Sequence, residues 1–392
     1  AVRWTAGPRS LPQWIEGSAV KIIRSAPATP QVEAISAASG YHEAIEALRW
    51  ARELIASGTA KPAEIAIAAA APAAYDDEFM ALRADANLDL HFVHSIRVVT
   101  TRDGQAAAAL ADILVRGISQ TRLRRLATLL SGLGPFKELP DAWQRVLPSG
   151  APLSSANAWA QFLNGLTAEH WPDGIDHTPK LRAIIERLAG GSALAEETGP
   201  VFLSGAALRI WRKALLAGSG AAIDVTIDGL RQEDPSEACV SVAWLPASAL
   251  AASPRKFVRL LGLTSTGWPR RISEDRLLSD HIVPTGEIDP WPVTAADRRD
   301  FETILRTTTT QVVLSHARRD KEGRLLGKSP LLRGQPDFRY IRRNRRPDHA
   351  MSETDRLLAR PADFVDGAQG RAVAECWRHW QQPAVTPHDG IV

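Results

Sequence analysis

Apolar and polar positions follow two patterns along the chain, and each pattern predicts a different kind of element. At 41–57, apolar residues recur at spacings of three and four from Ala44 to Ile55, which predicts a helix that ends at Gly58. The unbroken apolar run at 65–71 predicts a buried strand. Shorter apolar runs predict further strands, at 20–24, 32–36, 88–93, 238–245, 257–263 and 311–315. Strands that alternate with helices in this order are typical of an α/β layer with a parallel sheet.

The middle of the chain has a different pattern, in which helical periodicity dominates. Helices are predicted there at 107–115, 121–130, 156–166, 180–188 and 205–216, separated by proline and glycine. Strand-like runs resume after residue 236. They are accompanied by predicted helices at 294–307, with Thr294 as N-cap, and at 352–359 and 369–381. We therefore expect a helical insertion within the α/β layer.

Composition narrows the class of protein. Of the 392 residues, 45% are hydrophobic and 23% are charged, which excludes a collagen-like, coiled-coil or wholly disordered chain. No uncharged apolar stretch reaches about 18 residues, so no membrane-spanning helix is predicted. The first residues lack the apolar core of a secretory signal, and Cys239 and Cys376 are too few for a disulfide framework. These features together predict a cytoplasmic protein.

The net charge of +3 is unevenly distributed. Between Arg255 and Arg346 there are 20 Lys and Arg residues against 11 Asp and Glu, so this stretch carries +9 and the rest of the chain −6. Arginine outnumbers lysine 39 to 8, and the planar guanidinium suits phosphate groups. The codon usage of a GC-rich gene explains the same arginine bias equally well.

The positive charge is densest at 318–346, where 11 cations face three acidic residues. Phe338 and Tyr340 lie among the cations, as in single-strand binders whose aromatic side chains stack on bases. The segment predicts a surface that contacts single- or double-stranded DNA, with a solvated loop or a docking site for an acidic protein as the alternatives. The predicted DNA-binding residues are Arg318, Arg319, Lys321, Arg324, Lys328, Arg339, Tyr340, Arg342 and Arg343.

The sequence predicts no catalytic residue, no metal site and no cofactor in this chain. Gly327, Lys328 and Ser329 match the end of a phosphate-binding loop, but residue 322 is Glu instead of Gly and Pro330 would break the helix that must follow. None of the eight lysines follows an acidic residue by two positions. The Asp/Glu-x-Lys signature of a metal-dependent nuclease is therefore absent.

Two further groups of polar residues receive structural interpretations. His91 and His94 lie three positions apart in a predicted strand, where they would face opposite sides of the sheet and could not share a metal ion. Asp76, Asp77 and Glu78 fit the start of a helix, whose dipole favours negative charge, better than a catalytic site.

Several segments, taken in order, resemble the second RecA-like domain of superfamily 1 helicases. The similar segments are 41–67, 257–269, 274–280, 297–315, 318–324 and 328–332. The most similar form is the degenerate domain of AddB-type helicase–nuclease subunits and related PD-(D/E)XK nuclease family proteins of bacterial DNA repair. The resemblance rests on the order and spacing of these short blocks over roughly residues 20–390.

The resemblance implies a domain organisation. Residues 1–103 would be the first part of a RecA-like, P-loop NTPase-like 2A domain, and 104–236 a mostly helical 2B-like insertion. Residues 237–348 would complete the 2A domain and carry the basic segment. Residues 349–392 would form a helical exit and a linker to a nuclease domain that this chain lacks, and 387–390 is similar to the junction before that domain.

The resemblance also implies a function, that of an inactivated helicase-like, DNA-binding scaffold in a bacterial helicase–nuclease for double-strand break repair and recombination. The full-length protein would be a DNA exonuclease, and its partner would be the helicase subunit of a heterodimer. Active helicases carry a γ-phosphate-contacting arginine, and ungapped placement puts Thr307 there, one residue after Arg306. They also carry a Gly-Leu-Glu-Phe block, where this chain has Ser-Pro-Arg-Lys at 253–256.

Two alternatives stay open at this point. The chain could be half of an active ATP-dependent DNA helicase that a missing P-loop domain completes, and loss of ATP hydrolysis in Arg306→Ala would favour that reading. It could instead be a protein-interaction module that makes no DNA contact.

Overall fold

The computed structural model describes the chain except for residues 1, 5–21, 25–26, 272–281, 285–291, 361–364, 366 and 385–392. The similar segments at 274–280 and 387–390 therefore lie outside the described residues. The chain divides into two compact units, one formed by Ala1–His94 with Asp234–Val392 and the other by Ser95–Glu233. The second unit spans mostly the same residues as the helical insertion that was predicted at 104–236 from the sequence.

Within the described residues, the first unit begins with the following strands and α-helices before the chain enters the second unit. They are β1 (Val2–Trp4), β2 (Ile22–Arg24), β3 (Gln31–Ser39), α1 (Gly40–Ala56), β4 (Ile65–Ala69), α2 (Asp76–Asp85) and β5 (Leu90–Phe92). The second unit holds β6 (Ile96–Arg97), α3 (Arg102–Arg116), α4 (Gln120–Leu129), α5 (Ala156–Asn164), α6 (Thr178–Ala189), α7 (Ala195–Phe202), α8 (Gly205–Ala217), α9 (Ile223–Gly229) and β7 (Arg231–Gln232). The first unit then resumes with β8 (Val242–Pro246), α10 (Ala247–Ala252), β9 (Phe257–Leu261), α11 (Val293–Thr307), β10 (Gln311–Arg319), β11 (Phe338–Tyr340), α12 (Glu353–Ala359) and α13 (Ala368–Trp380).

Seven strands of the first unit form one sheet in the order β11-β3-β10-β9-β4-β8-β5. All of its neighbouring strands are parallel, which confirms the predicted α/β class. The connection from β3 to β4 runs one way along the sheet, whereas those from β8 to β9 and from β9 to β10 run the other way. The direction therefore reverses among the central strands, and in open α/β sheets ligands bind at such a reversal, beyond the carboxyl ends of the strands.

Helices cover both faces of this sheet. Trp50 of α1 packs against Ile35 and Val313 on one face. On the other face, the apolar side chains of α10 and α11 join those of the alternate strand positions, such as Leu250 with Leu314. Helices on opposite faces are what right-handed crossovers in opposite directions require.

Local sequence accounts for the ends of the helices near the sheet's carboxyl edge. Ser39 caps α1, because its Oγ accepts a hydrogen bond from the His42 backbone N at 3.3 Å, and Gly58 follows the helix with a φ of +71°. The predicted cap Thr294 is wrong. Helix α11 begins one residue earlier, after Pro292, and the Thr294 hydroxyl donates instead to the Arg270 carbonyl at 2.7 Å.

The second unit has its own apolar core, in which α3 is central. Leu110 of α3 is fully buried, as is Trp211 of α8, and Trp159 of α5 is 2% exposed. All five helices predicted in this region are confirmed by α3, α4, α5, α6 and α8. Helix α7 was not predicted because it contains Pro200, and α9 was not predicted because it is only seven residues long.

Strands β10 and β11 differ from the sequence prediction. Strand β10 continues four residues beyond the predicted end, to Arg319, and the edge strand β11 was not predicted. The predicted strand at 20–24 overlaps β2 in its last three residues.

Within the described residues, the helices are too short or too polar to cross a membrane.

Candidate nucleic-acid interface

A cavity of about 730 Å³ opens at the carboxyl ends of four parallel strands. Its walls include Ser39 at the end of β3, Ala70 after β4, Gly262 after β9 and Arg319 at the end of β10. The cavity thus lies at the reversal of strand connections described above. Its volume is within the range of pockets that hold small organic ligands.

Tyr75 forms part of the cavity wall and is held against two glycines. A Cβ atom at Gly262 would lie 3.1 Å from the Tyr75 hydroxyl, and one at Gly40 would lie 3.4 Å from its ring. Gly262 also has a φ of +72°, which strains any other residue. The glycines therefore let the tyrosine ring pack directly on the backbone that follows β3 and β9.

Beneath the cavity, Glu43 of α1 is fully buried. Its carboxylate accepts hydrogen bonds from the Tyr75 hydroxyl at 2.6 Å, the Ser315 hydroxyl at 2.7 Å and the Gly262 backbone N at 3.3 Å. Burial raises the pKa of Glu43, although these donors oppose the shift, and burial together with Glu43 raises the pKa of Tyr75. Glu43 therefore holds in place Tyr75, which forms part of the cavity wall.

A buried arginine, Arg259, interacts electrostatically with both Glu43 and Glu46. Arg259 in β9 is 3% exposed and donates through Nη1 to the Glu46 carbonyl at 2.8 Å. Burial lowers the pKa of Arg259 to about 10, so the guanidinium stays charged at neutral pH. Its Nε and Nη2 atoms make no hydrogen bond within the described residues.

Four charged side chains from α1, α12 and the segment before α12 form a group that we call the buried ion-pair cluster: Glu46, Arg49, Arg345 and Asp355. Arg49 donates to Asp355 through Nε at 2.8 Å and Nη2 at 2.6 Å, and to Glu46 through Nη1 at 2.6 Å. Arg345 Nη2 lies 3.0 Å from Glu46. Burial alone would raise the pKa of Glu46, but His42, whose Nε2 lies 3.7 Å from the carboxylate, and hydrogen bonds from Arg345 and Arg49 outweigh it and lower the pKa to about 2.

The chain after β10 forms a tight turn at 319–326, which we call the basic turn. Arg319 donates through Nη1 to the Gly323 carbonyl at 2.6 Å, and Asp320 accepts from the Arg324 backbone N at 2.7 Å. Gly323 supplies the positive φ that the turn requires, at +82°. The turn brings Arg319 and Lys321 to the cavity and leaves Arg324 exposed.

Lys321 forms an ion pair across the cavity wall. Its Nζ lies 2.8 Å from Glu78 Oε1, and Lys321 is 75% exposed whereas Glu78 is only 12% exposed. Glu78 Oε2 is buried without a hydrogen-bond partner in the described residues. Glu78 lies in the first turn of α2, so Asp76, Asp77 and Glu78 do begin a helix as predicted.

Cations cover both rings of the edge strand β11. The Arg318 guanidinium lies 3.8 Å from the Tyr340 ring centroid and also donates to the Ser36 carbonyl at 2.6 Å. Lys328 Nζ lies 4.6 Å from the Phe338 centroid. Tyr340 remains 61% exposed. Each ring thus has one cation over it, and the exposed ring of Tyr340 has Arg318.

The other predicted DNA-binding residues lie around these two places. Arg343 lines the cavity and Arg342 is exposed next to it in the chain. Arg339 points to the opposite face of β11 from Tyr340, is 69% exposed and lies 3.9 Å from Glu33. Arg319, Lys321 and Arg343 thus all line the cavity, whereas Arg318 and Lys328 lie over the two rings of β11, Tyr340 and Phe338.

Thr307, the predicted degenerate ATP-site position, does not belong to this region. It is the last residue of α11, and its hydroxyl donates to the Thr303 carbonyl at 2.8 Å within the same helix. It lies at the amino end of β10, and the nine residues of that strand separate it from the basic turn by roughly 26 Å at about 3.3 Å a residue. The neighbouring Arg306 is exposed.

Of the two histidines singled out from the sequence, His94 pairs with an acidic residue. His94 lies beyond the end of β5, where its Nε2 is 2.8 Å from Asp76 Oδ1, the atom that also accepts from Trp244 Nε1 at 2.9 Å. The part of the chain that the structure describes contains no group of three or more His, Cys, Asp or Glu that could hold a metal ion.

Comparisons with known proteins give no family for this chain. No protein-family model matches it, and no curated protein is significantly similar to it.

Proposed function

We propose that this chain is a catalytically inactive, helicase-like scaffold that binds DNA at the carboxyl edge of its sheet. Its setting would be a bacterial helicase–nuclease that acts in double-strand break repair and recombination. One observation carries the proposal. Arg319, Lys321 and Arg343, selected from the sequence as DNA contacts, all line one cavity of about 730 Å³ at the reversal of the sheet.

The chemistry of this edge suits a single strand. Exposed cations that approach phosphates release condensed counterions, which favours binding at low salt. Tyr340, 61% exposed and backed by Arg318, offers a ring on which any base can stack. Cations beside a stacking ring are the combination that sequence-independent single-strand binders use.

The wider proposal includes a RecA-like 2A domain, split by a 2B-like insertion and followed in the full-length protein by a nuclease domain. The seven-stranded parallel sheet supports it, because the helical second unit enters between β5 and β8, as that arrangement requires. The absence of ATP hydrolysis is supported by Thr307, whose hydroxyl is engaged within α11 and which cannot stabilise a phosphoryl transition state as arginine does.

The test is the affinity for a fluorescent 15-nucleotide single strand, measured by anisotropy over a range of salt concentrations. Arg342→Ala with Arg343→Ala removes two exposed cations and should weaken binding about tenfold at low salt. The slope of log Kd against log salt should become shallower by about 1.4, since each single-strand phosphate contact contributes about 0.7.

The matched control removes two exposed arginines from α8 in the second unit, Arg209→Ala with Arg212→Ala. It changes the net charge by the same amount and should leave the affinity within about twofold of the unaltered protein and the salt slope unchanged. An unaltered protein that fails to bind, or equal losses in the two double variants, would refute the proposed interface.

A further inference from the structure

We propose that Glu78 makes the cavity selective for bases with an exocyclic amino group, cytosine and adenine, over thymine. This inference rests on the proposed function, because it concerns DNA held at the same site. The observations behind it are the position of a carboxylate among cations and the incomplete hydrogen bonding of that carboxylate.

Glu78 shares the cavity wall with the cations and with Asp320, whose Oδ1 already accepts from the Arg324 backbone N at 2.7 Å. Lys321 pairs with its Oε1 at 2.8 Å, whereas Oε2 has no hydrogen-bond partner among the described residues. The side chain is 12% exposed, so water reaches it poorly. A carboxylate in such surroundings is stabilised by any further donor that can reach it.

Bound DNA would change the partner of Lys321. That lysine is 75% exposed on the basic turn, so its ammonium group can move to a phosphate without disturbing buried structure. Arg319 and Arg343 line the same cavity and attract the phosphate to it. The move would leave Glu78 as an unpaired, mostly buried carboxylate, and a base in the cavity then has to supply the missing donor.

Bases differ in what they offer at this position. Cytosine presents the amino group N4 and adenine the amino group N6, and a glutamate carboxylate accepts from either. Thymine presents the O4 acceptor and a methyl group there, so its oxygen would face the carboxylate without a hydrogen between them. The cavity of about 730 Å³ has room for one nucleotide.

The experiment compares dC15 and dT15 by fluorescence anisotropy at pH 8, where cytosine is unprotonated. The unaltered protein should bind dC15 about tenfold more tightly than dT15, the effect of one charge-assisted hydrogen bond. A dC15 strand with N4,N4-dimethylcytosine, which has no amino hydrogen, should bind the unaltered protein as weakly as dT15.

Glu78→Gln tests the protein side of the contact. The glutamine amide can donate to O4 of thymine, so the preference for dC15 should disappear or reverse. Glu64→Gln is the matched control, because Glu64 is also paired with a lysine, Lys256 at 2.6 Å, but lies before β4 at the other end of that strand. It removes the same charge and should leave the ratio of the two affinities unchanged.

The outcomes separate this inference from the proposed function. If neither strand binds in a salt-dependent manner, both are refuted. If both strands bind and the unaltered protein does not distinguish them, or if Glu78→Gln keeps the preference, DNA binding stands and the role of Glu78 is refuted.

Discussion

Two sets of arginines in the first unit have opposite surroundings. Arg49 and Arg345 belong to the buried ion-pair cluster, where Arg49 is 4% exposed and contacts two carboxylates. Arg342 and Arg343 are exposed, and their side chains make no hydrogen bond or ion pair with any of the described residues. Arg345 is separated from Arg343 by one residue. Adjacent arginines of one basic segment can thus stabilise the fold or remain available for a ligand.

The difference matters energetically. Removing one member of a buried ion pair leaves a charge without a partner, which costs about 3–5 kcal/mol of stability. Exposed ion pairs contribute about 0–1 kcal/mol, because water and salt screen them. The paired arginines should therefore affect unfolding, Arg49 more than Arg345 because the latter is 30% exposed, and the exposed ones should affect DNA binding alone.

The largest effect is expected for Arg49→Ala, which deprives Asp355 of a two-point contact at 2.8 and 2.6 Å. We expect the free energy of unfolding to fall by about 4 kcal/mol, measured by urea denaturation. Arg52→Ala on the same helix is the control and should cost less than about 0.5 kcal/mol beyond its change in helix propensity. Equal losses in the two variants would contradict the structural role of the cluster.

Glu46→Gln should have a somewhat smaller effect that depends on pH. The pKa of Glu46 is about 2 in the folded protein against 4.5 as a reference, so its charge contributes stability above pH 4.5 that is lost as the pH falls toward 2. The shift corresponds to about 3 kcal/mol. The unaltered protein should therefore exceed the variant by that amount at neutral pH, and the gap should narrow steadily below pH 4.5.

Chemical denaturation of both proteins at several pH values measures this gap. Glu53→Gln, an exposed change on the same helix, is the control. A gap that stays constant down to pH 3 would show that Glu46 is not held by its cationic neighbours.

The smallest effect is expected for Lys321→Ala. Its ammonium group is already opposed by Glu78 at 2.8 Å, so a phosphate gains little from it until that pair is broken. We expect single-strand affinity to fall about twofold and stability to change by less than about 0.5 kcal/mol. A loss as large as that of the Arg342 and Arg343 double variant would mean that the ion pair does not persist in solution.

The α/β layer could be predicted because its determinants are local. The strand at 65–71 and the helix at 41–57 have unambiguous periodicity, and both are present as β4 and α1. Strand β11 could not be predicted, since three residues with two exposed side chains carry no apolar pattern. The cap at Thr294 was wrong because a tertiary contact with Arg270 used its hydroxyl.

The candidate site was only partly predictable. Charge density indicated the basic segment, but it could not separate Arg345, which is paired with Glu46, from its exposed neighbours. Glu43 and Glu46 were missed, although both lie on the apolar side of α1, where a charged residue indicates a buried partner. The partner residues are far away in sequence, and pairing of that kind is set by the tertiary fold.

The central claim is that DNA contacts the carboxyl edge of the sheet through the segment 318–346. The most direct test is photo-crosslinking of a single strand that carries a 5-iodopyrimidine, followed by mass spectrometry of the digested protein. The account predicts crosslinks within 318–346, with Tyr340 the foremost because its ring is 61% exposed. Crosslinks confined to the second unit or to the amino edge near Thr307, under conditions in which the strand binds, would contradict it.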